Sequence, residues 1–374
     1  MRIKNEKIIL SANTCWYLYN FRKNTIITLI QKGFDVYILA PVDEVYSKKL
    51  SNLGVSLLHI SIDPTGVNCF KEFMTIIRSS RELSKIKPDY ILNFTPKNNI
   101  YNSIAAWGKN IKVINNISGL GVGFEKKGIL SLMIKYLYKI SQRNVHFIFF
   151  QNEQDRSIFL SNKIVSVEKT KRIPGSGVDL ARFHYDLKSP AETIVFILVA
   201  RMLLQKGIMQ YIEAACVLKN KYKNKIEFRL LGHIDDRNPS AISMNTIKMW
   251  HDKGIIRYLG TTDFVERELN QVDCVVLPSF YREGIPKSLL EAAAMGKPII
   301  ASDNIGCRDV VEDGINGFLC EPKNTKSLVD ALERFINLSD KQKIEMGIAS
   351  RRKIEQEFDE KKVIDSYMKL LYIE

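Results

Sequence analysis

Four charged residues in the second half of the chain have types and spacings suited to chemistry on anions and hydroxyls. In VARMLLQKGI (199–208), Arg201 follows an apolar run, and Lys206-Gly207 opens the next helical stretch. Two fixed cations at a sheet mouth, beside a helix N-terminus whose unpaired N–H groups favour anions, make a cradle for a diphosphate. A solvated Arg and Lys after a strand give the same pattern, so this segment alone leaves both readings open. Farther along, Glu283-Gly284-Ile285-Pro286 follows another apolar run, and Glu291 comes eight residues after Glu283. Pro286 suits the first turn of a helix over 286–295, and Gly284 lets backbone approach a ligand closely. Carboxylates in such places accept paired hydrogen bonds from vicinal hydroxyls, which sugars and ribose offer. The plainer alternative is a helix-start acid and a surface glutamate. Against it, Glu291 lies in the apolar LLEAAAMG, where a bare buried carboxylate is costly without a partner.

The elements that must carry these residues follow from the hydrophobic rhythm. Apolar bursts of strand length occur at 8–10, 35–40, 55–60, 89–94, 112–115 and 146–150, with helical stretches such as 21–32 and 69–87 between them. Alternation of this kind predicts βαβ units and a parallel sheet covered on both faces. The rhythm breaks in KRIPGSGVDLARFHYDLKSPAE (171–192), the best linker, and resumes with bursts at 193–200, 226–231, 255–259, 273–278, 298–301 and 317–320. Three largely helical stretches follow. The expected class is α/β: two Rossmann-like domains, 1–180 and 181–358, facing across a cleft, with a final helix at 359–374 returning to the first. In open α/β sheets, ligands bind at the carboxyl ends of the strands.

Composition narrows the partners. The chain has 374 residues, 45% hydrophobic and 26% charged, which excludes a disordered chain or a membrane bundle. Residues 1–182 hold 27 Lys and Arg against 13 Asp and Glu, and 183–374 hold 28 of each, so the net +14 sits wholly in the first half. Such an excess implies an anionic partner: nucleic acid, an acidic leaflet or a phosphorylated substrate. In GFEKKGILSLMIKYLYKISQRN, Lys127, Lys135, Lys139 and Arg143 recur at multiples of four beside apolar flanks. That pattern fits a helix lying on an anionic membrane, and equally a helix packed on the sheet with solvated lysines. Six cysteines without a C-x-x-C pair read as buried thiols of a reducing cytosol. No signal-peptide core or membrane-spanning run occurs, so the expected location is the cytosol, with a place on a membrane surface left open. No Asp-x-Asp, metal-spaced histidines or nucleotide-binding P-loop appears, and neither a metal nor a cofactor is expected.

With ARMLLQKG, GSGVD (175–179) and the Glu283 to Glu291 E-x7-E spacing inside DCVVLPS…EGIPKSLLEA…GKPIIASD…GINGFL, the chain resembles retaining glycosyltransferases of family 4, which have the GT-B fold. The resemblance implies that Arg201 and Lys206 hold the donor diphosphate, Glu283 the hydroxyls of the transferred sugar and Glu291 the ribose. It places the Gly284, Ile285 and Pro286 backbone toward the departing phosphate or sugar, and Gly232 near the nucleotide. The first half, through SANTCWYLYNFRKNTI, FTPKNNIYNSIAA and NNISGLGVGF, is similar to bacterial enzymes that extend undecaprenyl-diphosphate-linked sugars. Those include an N-acetylgalactosaminyltransferase of N-glycan assembly and O-antigen and capsule transferases. Asn13, Lys97, Asn116 and Gly119 at first-half strand ends are the corresponding acceptor or phosphate residues, although Lys97 also suits a solvated loop. The loop after the first strand, Ser11-Ala12-Asn13-Thr14, lacks the glycines many relatives carry there. At 115–121 the chain has Asn115-Asn116-Ile117-Ser118-Gly119-Leu120-Gly121 where many relatives place a histidine, so no histidine joins the catalytic set. The implied reaction moves GalNAc, GlcNAc or Gal from a UDP-sugar to a polyprenyl-diphosphate-linked saccharide, without nucleic acid. A GT-B epimerase or hydrolase, or a basic nucleic-acid-binding protein, are the alternatives.

Overall fold

A computed structural model of the chain describes residues 6–62, 68–120, 124, 128–186, 192–235, 238–282 and 284–372. Two compact units divide it, Met1–Ser176 with Ile364–Glu374, and Gly177–Val363. Among the described residues, the first unit is built on a seven-stranded sheet in the order β3-β2-β1-β4-β5-β6-β7. Its strands are β1 (Lys7–Ser11), β2 (Asp35–Ala40), β3 (Ser56–His59), β4 (Tyr90–Asn93), β5 (Lys112–Ile117), β6 (Phe147–Phe150) and β7 (Thr170–Arg172). Between them run α1 (Cys15–Gln31), α2 (Tyr46–Ser51), α3 (Cys69–Ile86), α4 (Pro96–Ala105), α5 (Ile129–Ser141) and α6 (Glu153–Ser161).

Among the described residues, the second unit repeats the plan with six strands in the order β10-β9-β8-β11-β12-β13. They are β8 (Ile194–Val199), β9 (Ile226–Leu231), β10 (Arg257–Tyr258), β11 (Cys274–Leu277), β12 (Ile299–Ser302) and β13 (Gly317–Cys320). Its helices are α7 (Ile208–Tyr222), α8 (Met244–Asp252), α9 (Val265–Asn270), α10 (Lys287–Ala294), α11 (Cys307–Val310), α12 (Thr325–Ile336) and α13 (Asp340–Glu357), and α14 (Glu360–Leu371) begins at its end. All ladders between these strands are parallel.

Helices on both faces explain why the strands are nearly continuous apolar runs, such as Phe147–Phe150 (FIFF) and Ile194–Val199 (IVFILV). The rhythm of the sequence locates twelve of these strands. It misses β7, three polar residues, Thr170-Lys171-Arg172, that pair with β6 alone at the sheet edge. Each sheet also has a topological switch point, where chain order reverses: between β1 and β4 in the first, and between β8 and β11 in the second. Beyond the carboxyl ends of the strands at such a point is where open α/β sheets bind ligands.

Candidate active site

At the second switch point, the loop leaving β8 carries Arg201, exposed, and Lys206, partly exposed, the latter ending a 3-10 turn at Leu204–Lys206. The loop is pinned on two sides. Gly207 has φ +76°, and a Cβ there would lie 2.0 Å from the Pro278 carbonyl oxygen, so only glycine lets the start of α7 pass this close to the end of β11. The Phe280 N–H (3.0 Å) and the Ser279 hydroxyl (3.2 Å) both donate to the Gln205 carbonyl. On the other side, Leu204 N–H reaches the Ser240 carbonyl (2.9 Å), and Gln205 Nε2 donates to Ser240 Oγ (2.6 Å). Gly232, at the end of β9, has φ +151°, and its absent Cβ would meet Ala200 O at 1.8 Å. Its N–H donates to Gly260 O (2.8 Å), and its carbonyl accepts from the Tyr258 hydroxyl (2.9 Å). Fixed backbone of this kind presents a cation without the entropic cost of ordering a loose loop.

The loop after β11 leads into α10. Glu283 lies outside the described residues, while Gly284, Ile285 and Pro286 are buried. Pro286 is the N-cap, one residue ahead of the first turn: its ψ of 118° is extended and not helical, while its carbonyl accepts from the Leu289 and Leu290 N–H groups. Glu291 sits one turn after Lys287 on α10, partly exposed at the bottom of dense surroundings. Burial pushes its carboxyl up to about 7, against the pull of the Lys287 and Arg182 charges and with a smaller push from Glu266. Both cations are engaged elsewhere. Lys287 Nζ donates to the Gly177 carbonyl (2.8 Å), and Arg182 Nε and Nη2 donate to Glu266 Oε2 (3.1 and 2.8 Å). In its ionised form this carboxyl accepts hydroxyl hydrogen bonds, and a neutral vicinal diol supplies the solvation that burial withholds without adding charge.

In the first unit, Asn13 follows β1 and Lys97 follows β4, so the two flank the first switch point. Asn13 is partly exposed. The Lys97 ammonium is not a solvated loop charge; it pairs with Glu72 in the first turn of α3. Asn116 is buried: its Nδ2 donates to Asn93 O (3.2 Å), and its Oδ1 accepts from the Tyr367 hydroxyl on α14 (2.5 Å). Gly119 lies just beyond β5 with φ +131°.

Beneath these loops lies a polar layer that no spacing in the sequence announces. Ser11, Asn93 and Asn115 share one register line across β1, β4 and β5. Asn98 and Asn102 of α4 donate to Ser11 Oγ (2.6 and 3.0 Å), Asn93 Nδ2 donates to Asn115 Oδ1 (2.8 Å), and Asn115 Nδ2 donates to Gln142 Oε1 (2.5 Å). All six side chains are buried. Mutually satisfied amides of this kind hold the strand ends in one arrangement.

On α5, Lys139 is exposed and Lys135 partly so, while Arg143 lies two residues past the helix end, also exposed. Lys127 lies outside the described residues. The apolar flank does not pack inward as a whole: Leu132, Met133, Tyr136 and Leu137 are 67, 52, 65 and 40% exposed. Among the described residues, no helix is long and apolar enough to cross a membrane.

Residues 7–152 match the family described as Glycosyl transferase 4-like, and residues 181–353 match Glycosyl transferases group 1. A Campylobacter jejuni protein, N,N'-diacetylbacillosaminyl-diphospho-undecaprenol alpha-1,3-N-acetylgalactosaminyltransferase, is 28% identical, the alignment covering 94% of this chain and 95% of that one. An Escherichia coli protein, UDP-Gal:alpha-D-GlcNAc-diphosphoundecaprenol alpha-1,3-galactosyltransferase, is 27% identical over 82 and 81%. Among solved structures, a Rickettsia africae glycosyltransferase superimposes with TM-score 0.77 at 16% identity, covering 99% of this chain and all of that one. Anabaena HepE in complex with UDP superimposes with TM-score 0.76 at 16% identity, covering 98 and 99%, so the fold is shared. Matches of this kind do not favour an epimerase, a hydrolase or a nucleic-acid-binding protein. One family domain falls on each unit, each around its own switch point, and the chain belongs to the glycosyltransferases of family 4, built on the GT-B fold.

Proposed function

We propose that this glycosyltransferase moves a hexose or N-acetylhexosamine from a UDP-sugar to a lipid-diphosphate-linked saccharide, with retention of anomeric configuration and without a metal or resident cofactor. The observation that carries the donor side is the second switch point, where the Arg201 to Lys206 loop and the loop leading to the Glu291 helix are stitched together. The donor diphosphate lies against Arg201 and Lys206, and its ribose hydroxyls on Glu291. Glu283, Gly284, Ile285, Pro286 and Gly232 complete the donor set. As the glycosidic bond breaks, the sugar becomes cationic and the diphosphate gains charge, which two preorganised cations stabilise. The acceptor hydroxyl attacks the face from which the diphosphate leaves, and the departing phosphate takes its proton, so no protein nucleophile is required.

The acceptor is assigned to the first unit, through Asn13, Lys97, Asn116 and Gly119. Support comes from the two relatives named for undecaprenyl-diphosphate acceptors. It comes also from charge, since the net +14 lies in the first 182 residues. The exposed Leu132, Met133, Tyr136 and Leu137 beside Lys135, Lys139 and Arg143 suit an anionic bilayer, on the cytoplasmic face of the inner membrane. Phe70 and Phe73 at the start of α3, 73 and 59% exposed, add apolar surface to the same unit. The deciding experiment is a screen of UDP-sugars with a short-chain polyprenyl-diphosphate sugar, read by mass spectrometry and by NMR of the new linkage. An axial-to-axial product formed in the presence of a chelator is expected; an inverted product, or dependence on a divalent metal, rejects the mechanism.

A further inference from the structure

Lys206 does not stand alone at the switch point. Its ammonium lies 5.8 Å from the centre of the Tyr281 ring, within the range where an aromatic face attracts a cation. Tyr281 belongs to the stretch after β11, and that stretch is bound to its neighbours on both sides. Toward β8, Phe280 N–H and Ser279 Oγ converge on the Gln205 carbonyl, one residue before Lys206. Toward β12, Asn304 Nδ2 donates to the Tyr281 carbonyl (3.0 Å), while Asn304 Oδ1 accepts from Ile305 N–H (2.8 Å). Ser279 is fully buried, and its hydroxyl also accepts from Tyr281 N–H (3.3 Å). Three successive strand-end loops, after β8, β11 and β12, are thereby tied into one piece that fixes the Tyr281 backbone and leaves its ring beside the Lys206 ammonium.

We infer that Tyr281 is a positioning residue for Lys206: its ring holds the ammonium at the height where the donor diphosphate binds, with Asn304 and Ser279 fixing the ring's own backbone. This rests on the reading of Lys206 as a diphosphate ligand. A lysine stem has four rotatable bonds, and a face-on aromatic restricts the volume its head explores without neutralising its charge. A hydroxyl is not needed for that, so the ring, and not the phenol oxygen, carries the effect.

The test is UDP affinity by calorimetry on folded variants, with thermal melts as the folding control. Lys206→Ala is expected to weaken UDP binding about tenfold or more, as loss of a charge-assisted contact. Tyr281→Leu is expected to weaken it about threefold to tenfold, and Tyr281→Phe to restore it to near the parent value. The double variant Lys206→Ala with Tyr281→Leu is expected to bind no worse than Lys206→Ala alone, because the ring acts only through the ammonium. An unchanged Lys206→Ala, or no UDP binding by the parent, sinks the donor reading and this inference with it. If Lys206→Ala is weakened, the inference alone is overturned by any of three results: an unaffected Tyr281→Leu, a Tyr281→Phe as weak as leucine, or multiplied losses in the double variant. Should Tyr281→Leu melt early, Asn304→Ala, which frees the same backbone from the β12 side, must show a loss that vanishes in the Lys206→Ala background.

Discussion

Glu291 holds a proton more tightly in the folded chain than it would in an unfolded one, since burial lifts its carboxyl from near 4.5 to about 7. For a group raised in this way, the stability it contributes is complete below about 4.5 and is lost as pH rises through about 7. Glu291→Gln, which never ionises, should therefore melt higher than the parent near pH 8, with the gap closing toward pH 5, as thermal scans across that range would reveal. A glutamine that costs the same stability at both ends would mean that charge burial is absent. The same carboxylate is expected to serve the nucleotide: Glu291→Ala should weaken UDP binding in a titration calorimeter, and unchanged affinity would remove the ribose role. Arg201 and Lys206 are legible in the sequence as cations placed just after an apolar burst. Tyr281, Ser279 and Asn304 are not, because neutral residues scattered over three loops leave no spacing to follow. Only their hydrogen bonds reveal that they act on one point.

Among the elements, the turn into α7 and the helix α5 make opposite demands. At Gly207, left-handed φ coincides with a carbonyl only 2.0 Å from where a Cβ would stand, so Gly207→Ala must push the β8 and β11 ends apart. A loss of about 1 to 3 kcal/mol in denaturant unfolding is expected, with weakened UDP binding. Gly254→Ala is the control: its φ is +67° and nothing lies within 4 Å, so only the backbone strain is paid. For α5, the basic stripe leaves a solvated packing helix and a surface-lying helix equally open, because periodicity says which residues share a face and not whether the face is covered. The exposure of Leu132 and Tyr136 favours a surface that awaits a partner. Replacing Lys135, Lys139 and Arg143 together with alanine should reduce binding to phosphatidylglycerol vesicles on the order of a hundredfold, at about 1 kcal/mol per charge. Equal sedimentation of parent and triple variant with those vesicles would dismiss α5 as the contact.

At the scale of the whole molecule, the alternation of apolar bursts announces two parallel sheets, because doubly covered strands leave an unmistakable run of Val, Ile and Phe. What it leaves unread is the buried amide layer under β1, β4 and β5, since asparagines in NNI and KNNIYNS look like loop residues until α4 folds over them. That layer extends to α14, where the Tyr367 hydroxyl reaches Asn116 and its ring lies against Phe94 and Phe149 (centroids 6.3 and 5.1 Å). Tyr367→Phe removes only the hydroxyl and leaves a buried amide oxygen short of a donor, so a loss of about 1 to 3 kcal/mol is expected in the unfolding of the first unit. A phenylalanine variant as stable as the parent would mean that water or another donor fills the place. Because Ile364–Glu374 belongs with a unit that otherwise ends at Ser176, a ribosome delivers the second unit's residues before the first unit's last piece. The usual vectorial order, first domain finished first, is thereby inverted. During synthesis Phe94 and Phe149 wait for the Tyr367 ring, a partner translated only after nearly the whole second unit.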